Sequence, residues 1–164
     1  MLDTRTFRQT VGHFVTGVTV VAFDDVDGTT RAMTANSFTS LSLDPPLVLF
    51  CVGKHSRTGR SIHDATRFSI NILGEGQQDL STYFAGGWRH DSPPPYTFGR
   101  WEGGPRLEGC AASLACEVDA IHEGGDHWIV IGRVIAVHTS NLPAKPLVFF
   151  RGAYAALSES ASVA

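Results

Sequence analysis

Small polar side chains are concentrated in residues 34–42, which we call the hydroxyl-rich segment. In it, hydroxyl and amide groups alternate with apolar residues: Thr34, Asn36, Ser37, Thr39, Ser40 and Ser42. Side chains of this size leave backbone N–H groups accessible and add hydrogen-bond donors of their own. A flat ring with a polar edge could therefore receive several hydrogen bonds along one rim. The alternative is a loop whose hydroxyl groups satisfy its own backbone.

A second group of candidate residues follows the apolar stretch Leu47–Val52. It consists of Lys54, His55, Ser56, Arg57 and Thr58, just before a predicted helix. The N-terminus of a helix offers free N–H groups to a phosphate, and hydroxyl groups add to them. The segment lacks the Gly-x-x-x-x-Gly-Lys-Ser/Thr pattern of nucleoside triphosphate loops. Two interpretations remain, a phosphate-binding turn or a helix cap with solvated charges.

The third candidate is the stretch His122-Glu-Gly-Gly-Asp-His127. A zinc-protease motif needs two histidines four residues apart on a helix, whereas these two are five apart across a Gly-Gly pair that favours a turn. Asp126 and His127 could contact a substrate at the rim of a barrel, or form a turn followed by a half-exposed imidazole.

The chain has neither the Gly-x-Ser-x-Gly motif of hydrolases nor the Gly-x-Gly-x-x-Gly motif of dinucleotide-binding folds.

Composition predicts one globular domain that does not bind nucleic acid. The chain has 164 residues, of which 43% are hydrophobic and 18% charged, a size and composition typical of a single folded domain. Its net charge is −3, and its 13 basic residues are scattered along the sequence. A surface that binds phosphate backbones needs a concentrated basic patch, so we expect no nucleic-acid partner.

The chain is also predicted to be cytoplasmic, with free thiols and no metal site. No apolar run reaches the roughly 18 residues of a membrane span, and the polar N-terminus does not resemble a signal peptide. Three cysteines, Cys51, Cys110 and Cys116, form no even disulfide set. They supply no Cys-x-x-Cys pair for structural zinc. A redox-active pair of Cys110 and Cys116 is the alternative to buried, inert thiols.

The elements that must position these residues are mostly short strands. The strand signals are Val18–Phe23 with its return at about 31–37, Leu47–Val52, Phe68–Leu73, Cys110–Ile121, His127–Val137, Leu147–Phe150 and Tyr154–Leu157. Helices are predicted from Asp3 or Thr4 with an apolar face of Phe7, Val11 and Phe14, over Thr58–Ala65, and over Gln77–Phe84. A sheet without helices on both faces usually curls to remove its edges. The prediction is a mainly β fold, a single barrel over residues 1–157 with a few peripheral helices and a flexible tail at 158–164.

Taken in order, these segments resemble the flavin reductase-like family, whose fold is the Greek-key FMN-binding split barrel. The resemblance runs from about Phe7 to Leu157. It is carried by Phe14–Val21, Met33–Phe38, Ser40–Pro46, Cys51-Val52 with Ser56 and Thr58, Phe68–Leu73, Phe84-Ala85, Gly125–His127 and Pro146–Tyr154. The aromatic-rich stretch Gly86–Trp101 is not assigned a role.

The resemblance implies where a flavin would bind. Backbone N–H groups near Asn36 and Ser37 would reach flavin N5 and the pyrimidine edge. The residues assigned to the flavin are Thr34, Ala35, Asn36, Ser37, Ser42, Cys51, Val52, Ser56, Arg57, Thr58 and Phe84. Cys51 and Val52 would lie beneath the ring, and residues 56–58 would bind the phosphate.

The same resemblance implies the nicotinamide site and the reaction. Gly125, Asp126 and His127 match a Gly-Asp-His motif associated with nicotinamide binding, and Phe150 and Tyr154 would border that site. The implied enzyme is an NAD(P)H:flavin oxidoreductase with no catalytic side chain. Hydride passes from NADH or NADPH to N5 of FMN or FAD, and reduced flavin feeds a partner monooxygenase.

Further expectations concern assembly and competing functions. The family implies a homodimer. The first alternative is a split-barrel oxidoreductase that retains FMN and reduces another small molecule. The second is a flavin-binding protein without catalysis. The sequence does not decide between FMN and FAD, or between NADH and NADPH.

Overall fold

The structure is a computed structural model that describes residues 2–141 and 145–158; residues 159–164 of the predicted tail lie outside the described residues. In this part of the chain the strands are β1 (Thr16–Gly17), β2 (Thr19–Asp24), β3 (Thr30–Ala35), β4 (Thr39–Leu43), β5 (Pro46–Gly53), β6 (Arg67–Ile72), β7 (Phe98–Trp101), β8 (Gly104–Leu107), β9 (Ala112–Gly124), β10 (His127–Thr139), β11 (Val148–Phe150) and β12 (Ala153–Ala155). The α-helices are α1 (Thr4–Val11), α2 (Arg57–Ser61) and α3 (Gln78–Phe84). Short 3₁₀ turns, Ile62–Asp64 and Glu75–Gln77, follow α2 and precede α3.

Seven strands form one antiparallel sheet in the order β3-β2-β6-β9-β10-β5-β4. Val21 and Phe23 of β2 share one buried cluster with Phe50 and Val52 of β5. Four strand spacings separate β2 from β5, about 19 Å in a flat sheet. Because side chains of β2 and β5 nevertheless belong to one core, the sheet must curl around it. The prediction of a mainly β fold is confirmed.

The first hairpin shows how local sequence sets the strand register. Asp25 N donates to Thr29 O at 2.9 Å, and Gly28 adopts a φ of +78° that other residues rarely accept. The turn therefore aligns Thr19 with Ala35, at the start of the hydroxyl-rich segment.

A buried asparagine connects four strands beside a second core cluster, which includes Val20 and Leu107. Asn71 is fully buried, and its side-chain amide donates to Val20 O at 3.0 Å and to Ser69 Oγ at 2.9 Å. Its Oδ1 accepts from Leu107 N and from Ser113 Oγ. Every polar atom of this side chain thus has a partner, so the network fixes β2, β6, β8 and β9 relative to one another.

Helix α1 begins as predicted, because the Asp3 carboxylate accepts from Thr6 N at 2.8 Å. It ends at Val11, with Gly12 as its C-cap, so Phe14 of the predicted apolar face lies beyond the helix. That face does not pack on the core: Phe7 and Val11 are each about half exposed. No helix of the described residues has both the length and the apolar character needed to cross a membrane.

The Gly86–Trp101 stretch is held to the fold by aromatic contacts. Phe84 at the end of α3 lies 5.2 Å from Tyr96 and 6.0 Å from Phe98, measured between ring centroids. Tyr83 contacts Trp88 in the same cluster. Phe84, predicted to lie near the cofactor, instead contacts the rings that anchor this stretch.

Candidate functional site

The hydroxyl-rich segment runs from the end of β3 into β4. Residues 36–38 lie between the two strands. Ser37 Oγ accepts from Cys51 N at 2.9 Å and donates to Cys51 O at 3.2 Å, which ties the segment to β5. Thr34 Oγ1 donates to Ser81 O at 2.6 Å. These two hydroxyl groups have internal partners, whereas Asn36, Thr39 and Ser40 are exposed. Between the two strands, Asn36 is therefore the exposed polar side chain.

Ser81 is a positioning residue that sequence reasoning missed. It is fully buried in α3 and joins the two ends of the predicted site. Its backbone oxygen accepts from Thr34, and its hydroxyl oxygen accepts from the Tyr154 hydroxyl at 2.8 Å. These contacts span 47 and 73 residues of sequence, so no local pattern around Ser81 could have indicated them.

The predicted phosphate turn (residues 53–59) is closed by its own serine. Ser56 Oγ donates to Gly53 O at 2.8 Å and accepts from Gly59 N at 2.9 Å. Ser56 is therefore the N-cap of α2, one of the two interpretations considered from sequence. The backbone N–H groups of Arg57 and Thr58 are in the first helical turn, where helices leave their donors without intrahelical partners. Ser56 can therefore cap α2 while the backbone N–H groups of Arg57 and Thr58 bind an anion.

The Gly-Asp-His motif lies against this turn. Gly125 has a φ of +66° at the first central position of the β9–β10 turn, where glycine is favoured. Lys54 N donates to Asp126 O at 2.9 Å, which joins the motif to the phosphate turn. His127 is opposite Gly53 in the β10–β5 ladder.

Asp126 and His127 form an exposed hydrogen-bonded pair at the rim. His127 Nδ1 lies 2.7 Å from Asp126 Oδ1, and about half of the His127 side chain is exposed. The hydrogen bond from His127, with the charge of that ring, lowers the pKa of the Asp126 carboxyl. Asp126 therefore stays an anion that orients the imidazole, leaving Nε2 for another partner.

A cation–aromatic group beside the motif was also missed from sequence. Lys54 Nζ lies 4.5 Å from the centroid of the Trp128 ring and 3.3 Å from Glu123 Oε1. His63 packs edge-on against the same ring, with 4.6 Å between centroids. Because Lys54 is held by these partners, the guanidinium of Arg57 is the better placed cation for a phosphate on α2.

Two open clefts meet at the hydroxyl-rich segment. One, of about 1770 Å³, lies between α1 and the β11–β12 turn; the other, of about 580 Å³, lies beside β1. Asn36 and Ser37 line both. A ligand seated on residues 36–38 could therefore extend along α1.

The remaining predicted residues differ in where they lie. Val52 is buried in the core, and Ala35 is buried with its backbone oxygen accepting from Thr19 Oγ1. Ser42 is opposite Leu47 in the β4–β5 ladder, about 13 Å along β5 from Cys51. The structure thus does not bring Ser42 to the residues that contact Ser37.

Phe150 and Tyr154 lie on the hairpin that closes the fold. Phe150 is about one-third exposed and lies edge-on to His13, with 6.3 Å between centroids. Tyr154 packs against Phe149, a residue that lines the larger cleft. Because the Tyr154 hydroxyl is bonded to Ser81, only its ring is available to border a ligand.

The three free cysteines differ in environment, which gives a direct test. Cys110 and Cys116 are buried in different core clusters, and burial raises the pKa of the Cys110 thiol to about 11 and that of Cys116 to about 12. The two thiols are therefore not placed as a redox pair, and both remain protonated at pH 8. Cys51 is only half-buried.

We expect one thiol per chain to react rapidly with a thiol reagent in the native protein at pH 8, and three after denaturation. The reason is that the thiolate is the reactive form and burial suppresses it. Cys51→Ser should abolish the fast reaction. Fast labelling of two or three native thiols would contradict these assignments.

Fold and site together define a split-barrel protein with an open cleft over an irregular polar segment. The chain belongs to the flavin reductase-like family: the flavin reductase like domain matches residues 11–158. The family and the split barrel predicted from sequence are thereby confirmed.

Individual proteins show the same similarity. The chain is 40% identical over 162 residues to the reductase subunit HsaB of a flavin-dependent monooxygenase from Mycobacterium tuberculosis, covering 93% of this chain and 82% of that one. The flavin reductase PheA2 superposes with a TM-score of 0.89 at 35% identity, covering 96% and 100% of the two chains. The NADH:FAD oxidoreductase SgcE6 of Streptomyces globisporus, in complex with NAD and FAD fragments, superposes with a TM-score of 0.85 at 34% identity, covering 99% of each.

Proposed function

We propose that this protein is an NAD(P)H-dependent flavin reductase that reduces FMN or FAD and supplies the reduced flavin to a partner monooxygenase. The observation that carries the proposal is the junction of the phosphate turn with the Gly-Asp-His motif, through Lys54 N and Asp126 O at 2.9 Å. The segments proposed to bind the phosphate and the nicotinamide are therefore neighbours, which supports a site that holds both nucleotides. The names of the relatives support NADH as reductant and FAD as a flavin.

The donors present in the site fit a flavin nucleotide. First-turn amides of α2, the Arg57 guanidinium and the Thr58 hydroxyl suit a phosphate dianion. Residues 36–38 lie outside both strands, so their backbone N–H groups can donate along the edge of a ring, while the Ser37 hydroxyl is bonded to Cys51. When bound, the flavin supplies the hydride acceptor at N5.

The protein positions the two reactants and leaves the flavin free to dissociate after reduction. His127 Nε2, oriented by the Nδ1 hydrogen bond to Asp126, can accept from the N–H of a nicotinamide carboxamide, or donate to a phosphate oxygen when the ring carries both protons. No side chain acts as a nucleophile, so alignment of the two rings carries the rate. The clefts are open to solvent, which suits a flavin that must leave to reach an oxygenase.

One assay distinguishes this function from its alternatives. NADH absorbance is followed with a trace of protein and an excess of FMN or FAD. Many turnovers of free flavin per chain support a reductase. Activity independent of added flavin would support an enzyme that retains FMN and reduces another molecule, and flavin binding without NADH consumption would support a non-catalytic binding protein.

His127→Ala should raise KM for NADH by about tenfold and lower the efficiency of hydride transfer, because a hydrogen bond between the imidazole and the bound nucleotide is worth about 0.5–1.5 kcal/mol. Flavin affinity should change much less, since the flavin is assigned to residues 34–37 and 51–58. Steady-state kinetics at saturating flavin measure the first effect and fluorescence titration the second. Loss of flavin binding with unchanged NADH kinetics would place His127 in the flavin site instead.

The protein is further proposed to be a homodimer. Large apolar side chains are at least half exposed on α1, just after it, on β4 and on β10, namely Phe7, Val11, Phe14, Leu43 and Val137. Exposed apolar surface of this kind is typical of association surfaces. Sedimentation equilibrium should give twice the chain mass, and a monomer that still reduces flavin would refute the dimer.

A further inference from the structure

The larger cleft is positively charged although the chain as a whole carries a net charge of −3. Its lining includes three guanidinium groups, Arg5, Arg8 and Arg151, and a single carboxylate, Asp3. The Asp3 carboxylate is already bonded to the backbone N–H and the hydroxyl of Thr6 as the cap of α1. The charge of the cleft is therefore not neutralised from within.

Elsewhere among the described residues, four of the eight arginines are paired with a carboxylate, while Arg57, Arg60, Arg89 and Arg106 form no ion pair and do not line this cleft. Arg31, Arg67, Arg100 and Arg133 each contact a carboxylate within 2.8 Å. Across residues 2–141 and 145–158, none of the three arginines of the cleft forms such an ion pair. Unpaired guanidinium groups gathered at one cleft are what binding of an anionic ligand requires.

The backbone of Arg151 is unusual for its residue type. Arg151 and Gly152 have φ of +51° and +81° and form the two-residue turn between β11 and β12. A turn with both central residues at positive φ favours Asn, Asp or Gly. An arginine held there carries a conformational cost, and such strain concentrates at functional sites.

Backbone contacts hold Arg151 close to Arg8. Arg151 N donates to Gly12 O at 2.9 Å, and Gly12 N donates to Arg8 O at 3.0 Å. An ideal Cβ on Gly12 would lie 3.1 Å from Arg8 O and 3.4 Å from Arg151 Cα, so the turn packs closely against the end of α1. Arg5 and Arg8 are three residues apart and share the face of α1 that Gly12 continues.

We propose that Arg8 and Arg151 bind the pyrophosphate of the nicotinamide dinucleotide, an inference that rests on the proposed reductase function. The cleft that they line is continuous with Asn36 and Ser37, where the nicotinamide must meet the flavin. A guanidinium binds phosphate oxygens through two parallel hydrogen bonds. FAD also carries a pyrophosphate, but the flavin phosphate is assigned to the amides of α2, on the side of His127.

The test uses Arg151→Asn and Arg8→Gln in the full-length protein. Asn is well tolerated at positive φ, so Arg151→Asn should keep or raise the thermal unfolding temperature while removing the charge. Each variant should raise KM for NADH about tenfold at low salt, with kcat and KM for FAD unchanged. The rise should shrink at high ionic strength, because salt screens the wild-type interaction.

Arg133→Gln, which removes one remote arginine paired with Asp119, is the matched control and should leave all constants unchanged.

Binding of ADP-ribose, which carries the pyrophosphate without a nicotinamide, is measured in parallel. Weaker ADP-ribose binding in both variants supports the inference even if the wild-type protein fails to reduce flavin. Failure of the pyrophosphate site can therefore be distinguished from failure of the proposed reductase function. An increase in KM for FAD alone, an equal increase for both nucleotides, or unchanged NADH and ADP-ribose constants would overturn it.

Discussion

Gly59→Ala is expected to weaken FMN binding by about 100-fold, or about 2.7 kcal/mol. An ideal Cβ at residue 59 would lie 2.1 Å from Gly53 O and 2.9 Å from Gly53 C. Both atoms belong to the backbone, so the side chain cannot be accommodated by a rotamer change. The turn must open, which breaks the Ser56 hydrogen bonds to Gly53 O and Gly59 N. Because the first-turn amides of α2 then lose their alignment, the phosphate site is lost.

Riboflavin provides the internal comparison for this variant. It lacks the phosphate, so the wild-type protein should bind it more weakly than FMN, and Gly59→Ala should change its Kd little. Gly76→Ala is the matched control, since a Cβ at this exposed glycine would meet no heavy atom within 4 Å. Equal losses of FMN and riboflavin affinity would show that residues 53–59 do not bind the phosphate.

Gly132→Ala should lower the free energy of unfolding by about 3 kcal/mol, at the upper end of what overpacking a core usually costs. Gly132 is buried in β10 beside a register shift in the β9–β10 ladder. A Cβ there would lie 2.3 Å from Phe68 Cζ and 3.0 Å from Cys116 Cβ. Urea denaturation measures the change through the midpoint at constant slope.

A double-mutant cycle with Phe68→Leu identifies the cause. The smaller side chain removes the ring that the new Cβ would meet, so the double variant should be less destabilised than the sum of the single variants. Strict additivity would mean that the alanine is accommodated without contact with Phe68. In the wild-type core, Phe50 packs on Phe68 with 5.3 Å between ring centroids, so Phe68→Leu alone also lowers the free energy of unfolding.

Local sequence was sufficient for most elements of the fold. The β-branched run before Asp24 and the glycine at residue 28 predicted the first hairpin, because strand periodicity and turn chemistry act over a few residues. The pair Gly124-Gly125 predicted the β9–β10 turn for the same reason. Resemblance to a family then assigned Asn36 and Ser37 to a flavin and the Gly-Asp-His motif to the nicotinamide, and the structure brings both segments against β5.

Only the tertiary structure decided which side chains are free to bind and which hold the site together. The hydroxyls of Thr34 and Ser37 are bonded to Ser81 and Cys51, and Ser42 lies away from them, although all three look alike in sequence. The unpaired arginines of the cleft come from residues 5, 8 and 151, at opposite ends of the described chain. Hydrogen bonds, ion pairs and steric contacts between distant residues depend on how the sheet curls, and this is a property of the whole chain that no local pattern encodes.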